Sequence, residues 1–112
     1  QVRQTLAKAY PQMNADRFDA LMAPLYLSEH LHKQMFMMST GTRRKVLLAA
    51  GFASGATVLL LDSPFAALDK PSISAVKQCV REFVNTGQHA CVLSDYEAPE
   101  ALDLAARINL GD

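Results

Sequence analysis

Apolar residues recur along the chain in two different rhythms, and the change of rhythm divides it. In the first half the spacing is helical. Val2, Leu6 and Tyr10 stand four apart, which predicts a short helix over residues 1–10 ended by Pro11. Asn14 has the chemistry of a helix cap, and Phe18, Leu21, Met22 and Leu25 follow at i, i+3, i+4 and i+7 of a second helix that Pro24 should kink or end. The stretch "LSEHLHKQMFMM" predicts a short helix from Ser28, then an extended, Met-rich approach to Ser39. From Thr40 to Ser54 the pattern is helical again. Val46, Ala49, Ala50 and Ala53 form a narrow face of small residues, and Leu47, Leu48 and Phe52 cover much of the rest, so this helix is expected to be buried nearly all round.

At Gly55, a residue suited to a left-handed helix end, the rhythm changes to an unbroken apolar run, "TVLLLD". That run predicts a strand over Thr57–Asp62 covered on both faces. Asp69 can cap the next helix, whose first turn holds Pro71 and whose stripe is Ile73, Val76, Val80, Phe83 and Val84, ending at Gly87. "HACVLS" reads as a second strand, Pro99 to about Ala106 as a last helix, and "RINL" as the start of a further strand. Strand, helix and strand of these lengths make a βαβ unit, expected to cross over right-handedly. The fold class is therefore α/β, with a helical first half followed by a piece of parallel sheet.

Composition narrows the function classes. A chain of 112 residues is enough for one small domain. Its 11 basic and 11 acidic side chains balance, and "TRRK" is the sole basic cluster, so nucleic acid is not the expected partner. Cys79 and Cys91 have neither metal-ligand nor disulfide-framework spacing, which suits a reducing compartment. The longest apolar run is too short to span a bilayer, and no signal-peptide pattern opens the chain, so a soluble chain is expected. The start at Gln1 and the end at "NLGD" suggest a segment of something longer.

Two stretches carry candidate chemistry. Asp62 ends an apolar strand at the carboxyl edge of a parallel sheet, where α/β proteins place metal and phosphate chemistry; it could hold magnesium, directly or through water, or merely end the strand and cap the turn before Pro64. In "MSTGTRRK", Ser39 and Thr40 are cap types, Gly41 allows close backbone approach, and the helix N-terminus that follows presents free N–H groups. This is either an anion site built without a lysine or an ordinary cap with a solvated Arg43–Arg44–Lys45 face.

Taken in order, "MSTGT", "RKV", "LAAGFA", "VLLLDSP" and "AALD" resemble the nucleotide-binding domain of ATP-binding-cassette (ABC) proteins, with its signature "LSGGQ", small-residue helix, Walker B strand and "SALD" D-loop. The match is close from Met38 to Asp69, and the preceding helices look like the helical subdomain. The resemblance implies a partial P-loop-NTPase domain, with residues 1–56 as the helical subdomain and signature helix and 57–112 as the Walker B strand, D-loop and following elements. It implies that Met38–Thr42 is the signature loop, with Ser39, Thr40, Gly41 and Thr42 toward ATP held by an opposing domain in a head-to-tail dimer. It makes Asp62 the Walker B aspartate on the Mg2+ side and Ala66–Asp69 the D-loop.

The departures matter as much. No "GxxxxGK[ST]" occurs and no Q-loop glutamine can be placed, so this chain alone is not expected to bind ATP in the family's manner. Ser63 stands where the family has its catalytic Glu, and loss of a positioned base costs on the order of 10²- to 10⁴-fold in rate. Asp95 falls at the switch-histidine position, with Ser94 before it, and Thr40 and Thr42 replace the signature Gly and Gln. The resemblance implies ATP and Mg2+ in a complete parent, a second nucleotide-binding domain and a transmembrane transporter subunit as partners, and a cytoplasmic place at the membrane. The alternative is a catalytically degenerate interaction or regulatory module. An unrelated small α/β domain would make the ordered motifs accidental. His30 and His32 form H-x-H without further ligands of suitable spacing; "MFMM" is either core or a docking surface for the membrane subunit; Tyr96 and Glu97 carry no assignment.

Overall fold

A computed structural model describes residues 2–95. The expected last helix and the "RINL" strand, with Tyr96 and Glu97, lie outside the described residues. The first helix, α1, spans Val2–Ala9 and buries Leu6. Asn14 caps α2 (Ala15–Ala20) as its chemistry predicts: its Oδ1 accepts the Arg17 N–H at 3.0 Å. Its own N–H donates to the Ala53 carbonyl at 2.8 Å, so the start of α2 also closes the end of the third helix. The helix stops a turn before Pro24, but the chain keeps folding back through Leu21–Leu25 and Met22–Leu27 hydrogen bonds, and this seats Met22, Leu25 and Leu27 in the core.

The Met-rich stretch is not extended. Two 3₁₀ turns, Ser28–His30 and Met35–Met37, interrupt it, leaving Gln34 and Met38 as the extended residues. With the backbone coiled this way, Met38 turns into the core while Phe36 and Met37 stay exposed. Helix α3 runs Thr40–Phe52, and Val46, Leu48, Ala49, Ala50 and Phe52 are buried. Leu47 is the exception to the expected all-round burial, being about half exposed at 52%. Gly55 takes the left-handed conformation at φ 85° that turns the chain into β1 (Val58–Asp62).

Strand β1 pairs in parallel with β2 (Ala90–Ser94), in register from Val58 opposite Ala90 to Asp62 opposite Ser94, and α4 (Lys70–Asn85) connects them. The expected βαβ unit is present. Helix α4 buries Val76, Cys79, Val80 and Phe83, and the Phe83 ring meets Phe52 of α3 with centroids 5.7 Å apart. Leu59, Leu61, Cys91 and Leu93 face these helices, whereas Val58, Leu60 and Val92 point the other way, Leu60 with 77% of its surface exposed. Among the described residues the strand is therefore covered on one face, not two. Successive strand side chains alternate between faces, and the described helices occupy a single side of the sheet.

Candidate functional site

The carboxyl ends of both strands meet at one edge. Asp62 closes β1 directly beside Ser94 of β2, and Ser63 and Asp95 are the next residues on each strand. The Asp62 side chain is exposed, and no described residue bonds to its carboxylate. Ser63 sits in the left-handed region at φ 46°, where a non-glycine residue is strained, and the turn is fixed from three sides. Its N–H donates to the Ser94 carbonyl at 2.6 Å, and its own carbonyl accepts from the Ala66 N–H at 3.1 Å and from Arg44 Nη2 at 2.6 Å. The same Arg44 nitrogen lies 3.5 Å from the Asp62 carbonyl. Beside Asp62 opens a shallow cavity of about 230 Å³, lined by Arg44, Leu47, Leu60 and Pro64 among others. A larger cavity of about 430 Å³ lies away from this edge, between the α2 turn and α4, and holds none of the candidate residues.

The polar turn before α3 reaches the loop that follows β1. Ser39 is the N-cap: its Oγ accepts the Thr42 N–H at 3.1 Å and donates to Thr42 Oγ1 at 2.9 Å. Thr40 is exposed and Thr42 buried. A methyl group on Gly41 would fall 2.6 Å from the carbonyl oxygen of Ala67, so the backbone that this glycine admits is that of the 63–69 loop. Ala67 itself takes φ 64°, which turns its carbonyl into this contact.

The basic cluster is not a solvated face. Arg43 and Arg44 are half-buried and Lys45 is 8% exposed. The reason is packing: this side of α3 lies against the loop and the start of α4. Lys45 Nζ donates to Ser72 Oγ at 3.1 Å and stands 5.6 Å from the Tyr26 ring centroid, a hydrogen bond and a cation–π contact that offset its burial. Asp69 caps α4, with Oδ1 accepting the Ser72 N–H at 2.9 Å. Hydrogen bonds from the Ser72 hydroxyl and then its N–H, with a smaller contribution from the Lys45 ammonium, hold the Asp69 carboxyl below the usual carboxylate range.

Whether this edge suits magnesium follows from its donor set. Among the described residues no three His, Cys, Asp or Glu side chains gather to hold a metal. One open carboxylate does not make a dedicated metal cage. It does suit an ion that keeps most of its waters and arrives with phosphate oxygens, which is how Mg2+ ordinarily binds beside nucleotides. The histidines form no such site either: His30 Nδ1 is 2.9 Å from Lys33 Nζ and its Nε2 is 3.4 Å from Glu29, while His32 is exposed.

Arg44, the Lys45–Ser72 pair and Ala67 were not identified as site-shaping residues from sequence. Their contacts join positions 18 to 27 apart in the chain, and no local pattern signals such a pairing.

A parallel βαβ unit with polar residues gathered at the carboxyl edge, behind a helix whose capped start leans on the loop there, defines a piece of a parallel α/β fold of the kind that places ligands beyond its carboxyl strand ends. Solved structures agree on the fold. The RNase-L inhibitor matches with a TM-score of 0.68 at 21% identity, over 80% of this chain and 18% of that one. No model of a known protein family matches. Among curated proteins, an Fe(3+) ions import ATP-binding protein (FbpC 2) of Pectobacterium atrosepticum is 34% identical over 93 residues, covering 82% of this chain and 27% of that protein. The lipopolysaccharide export system ATP-binding protein LptB of Haemophilus influenzae is 30% identical over 97 residues, covering 87% of this chain and 40% of that protein. The chain belongs to the ATP-binding-cassette ATPase family. It spans roughly a quarter to two fifths of the length of these curated relatives.

Proposed function

We propose that the chain is the part of an ABC ATPase subunit that carries the helical subdomain and signature helix (residues 1–56) and the Walker B strand, D-loop and following elements (57–112). In this reading Ser39, Thr40, Gly41 and Thr42 face the ATP of a second nucleotide-binding domain, and Asp69 fixes the D-loop at the dimer seam. The observation that carries it is the open Asp62 carboxylate at the shared edge of two parallel strands, with the capped start of α3 packed on the loop that follows. Asp62 would hold the nucleotide's Mg2+ through water, and the ion when bound neutralises phosphate charge. The Ser39 hydroxyl proton, which Thr42 Oγ1 accepts in this structure, would turn to an incoming phosphate oxygen, beside the positive N-terminal end of α3.

Hydrolysis at this half-site is expected to be slow. The Ser63 hydroxyl cannot take a proton from water near neutral pH, and Asp95 places a carboxylate rather than an imidazole after β2, where it would repel a γ-phosphate. The apolar sheet face of Val58, Leu60 and Val92 suits strands and helices of a fuller domain laid over it. The subunit would work on the cytoplasmic side, joined to a transmembrane transporter; no helix among the described residues is long and apolar enough to cross a membrane. The test is ATP turnover by the full-length protein with its transporter. Asp62→Ala should reduce both Mg2+-dependent nucleotide binding and turnover; retention of both at the unsubstituted level refutes the assignment.

A further inference from the structure

The signature turn and the loop after β1 are far apart in sequence, yet α3 holds that loop through several contacts. Gly41 abuts the Ala67 carbonyl, Lys45 reaches Ser72 beside the Asp69 cap, and Arg44 grips the turn at Ser63. Of these, Arg44 acts where the chain leaves β1, at a non-glycine residue with positive φ. Its Nη2 donates to the Ser63 carbonyl at 2.6 Å, the same carbonyl that accepts the Ala66 N–H, while Ser63 stays at φ 46°. Arg44 Nε is buried and has no hydrogen-bond partner in the structure, so the guanidinium accepts an unsatisfied donor in order to reach these carbonyls.

We propose that Arg44 is a positioning residue: it sets the backbone of the Ser63–Asp69 loop from α3, so that the signature turn and the Walker B end with its D-loop move as one body. A charge-assisted hydrogen bond to a carbonyl is among the stronger single contacts available to such a loop. The bond comes from one terminal nitrogen of a rigid planar guanidinium, whose reach and direction a Lys ammonium does not reproduce. The consequence for nucleotide chemistry rests on the dimer reading above: a displacement of α3 caused by ATP across the seam would be passed through Arg44 to the Asp62 edge of the same domain.

Hydrogen exchange on the full-length protein, followed in peptides spanning 60–69, tests the positioning directly and needs no nucleotide. In Arg44→Met, exchange at Ala66 and Leu68 should accelerate about 10-fold or more, with the α3 and α4 cores unchanged. Arg44→Lys, which keeps the charge but not the planar guanidinium, should fall between. Unchanged loop exchange overturns the proposal, and so does uniform acceleration of loop and helices, which marks Arg44 as a general stability contact. ATP turnover supplies a second arm. If the dimer reading holds, Arg44→Met lowers kcat several-fold with little change in KM. If the unsubstituted protein binds no Mg2+-ATP, the dimer reading loses its support while the exchange result still decides the role of Arg44.

Discussion

Replacing Gly41 by alanine isolates the contact between the start of α3 and the loop after β1. Gly41 is the second residue of α3, in helical backbone, so intrinsic propensity alone favours alanine there by up to about 1 kcal/mol. The added methyl carbon, however, would fall 2.6 Å from the Ala67 carbonyl oxygen, closer than carbon and oxygen can approach. The obstacle is backbone, in a loop with two non-glycine residues already at positive φ, Ser63 and Ala67, so it yields only by shifting the loop. Overpacking of this kind costs roughly 1–3 kcal/mol, which after the propensity gain leaves a net loss of up to about 2 kcal/mol. Gly51 is the internal control: it lies in the same helix, and its nearest neighbour on substitution would be Leu59 Cδ2 at 3.9 Å, an ordinary contact. Gly51→Ala is therefore expected to be neutral or to gain a few tenths to about 1 kcal/mol. Urea denaturation of the full-length protein should lower the midpoint for Gly41→Ala and leave it unchanged or raised for Gly51→Ala, with equal m-values. Equal midpoints for the two variants would refute the close approach of the start of α3 to Ala67.

Ser72→Ala removes the hydroxyl that receives the Lys45 ammonium and strands a buried charge, at an expected cost of about 1–3 kcal/mol. Lys45→Met in the same background should restore much of that loss, and a double-mutant cycle that shows no coupling contradicts the pairing. Burial, with the Glu82 carboxylate adding to it, pushes the Cys79 thiol up to about 11, so it stays protonated at neutral pH. Cys91 is half-buried, its thiol raised by burial alone, and should be alkylated first by iodoacetamide in the folded protein because it is the more accessible. Equal labelling of both thiols before unfolding would contradict the packing of α4.

Much of the local structure is legible in the sequence. The caps Asn14, Ser39 and Asp69 all act as their residue types predict, and so do the left-handed glycines Gly55 and Gly87. The reason is that caps and turns are decided within three or four residues by backbone donors and short polar side chains. The same range limits explain two misreadings. An apolar run cannot tell a strand buried on both faces from one open on its second face, which among the described residues is the case for Val58 and Leu60. Three consecutive basic residues look solvated, yet α3 turns Lys45 under Tyr26 and toward Ser72.

The sequence by itself determined the elements, their order, the parallel pairing and the motifs from Met38 to Asp69, because each rests on periodicity, local capping chemistry or spacing along the chain. Only the tertiary structure decided what those motifs touch. Gly41 packs on the Ala67 carbonyl, Arg44 holds Ser63, and the Asp62 carboxylate is left open at the edge shared with Ser94. Such contacts join residues 18 to 32 positions apart, and they depend on where packing sets α3 against the sheet and the loop, which no stretch of the chain encodes alone.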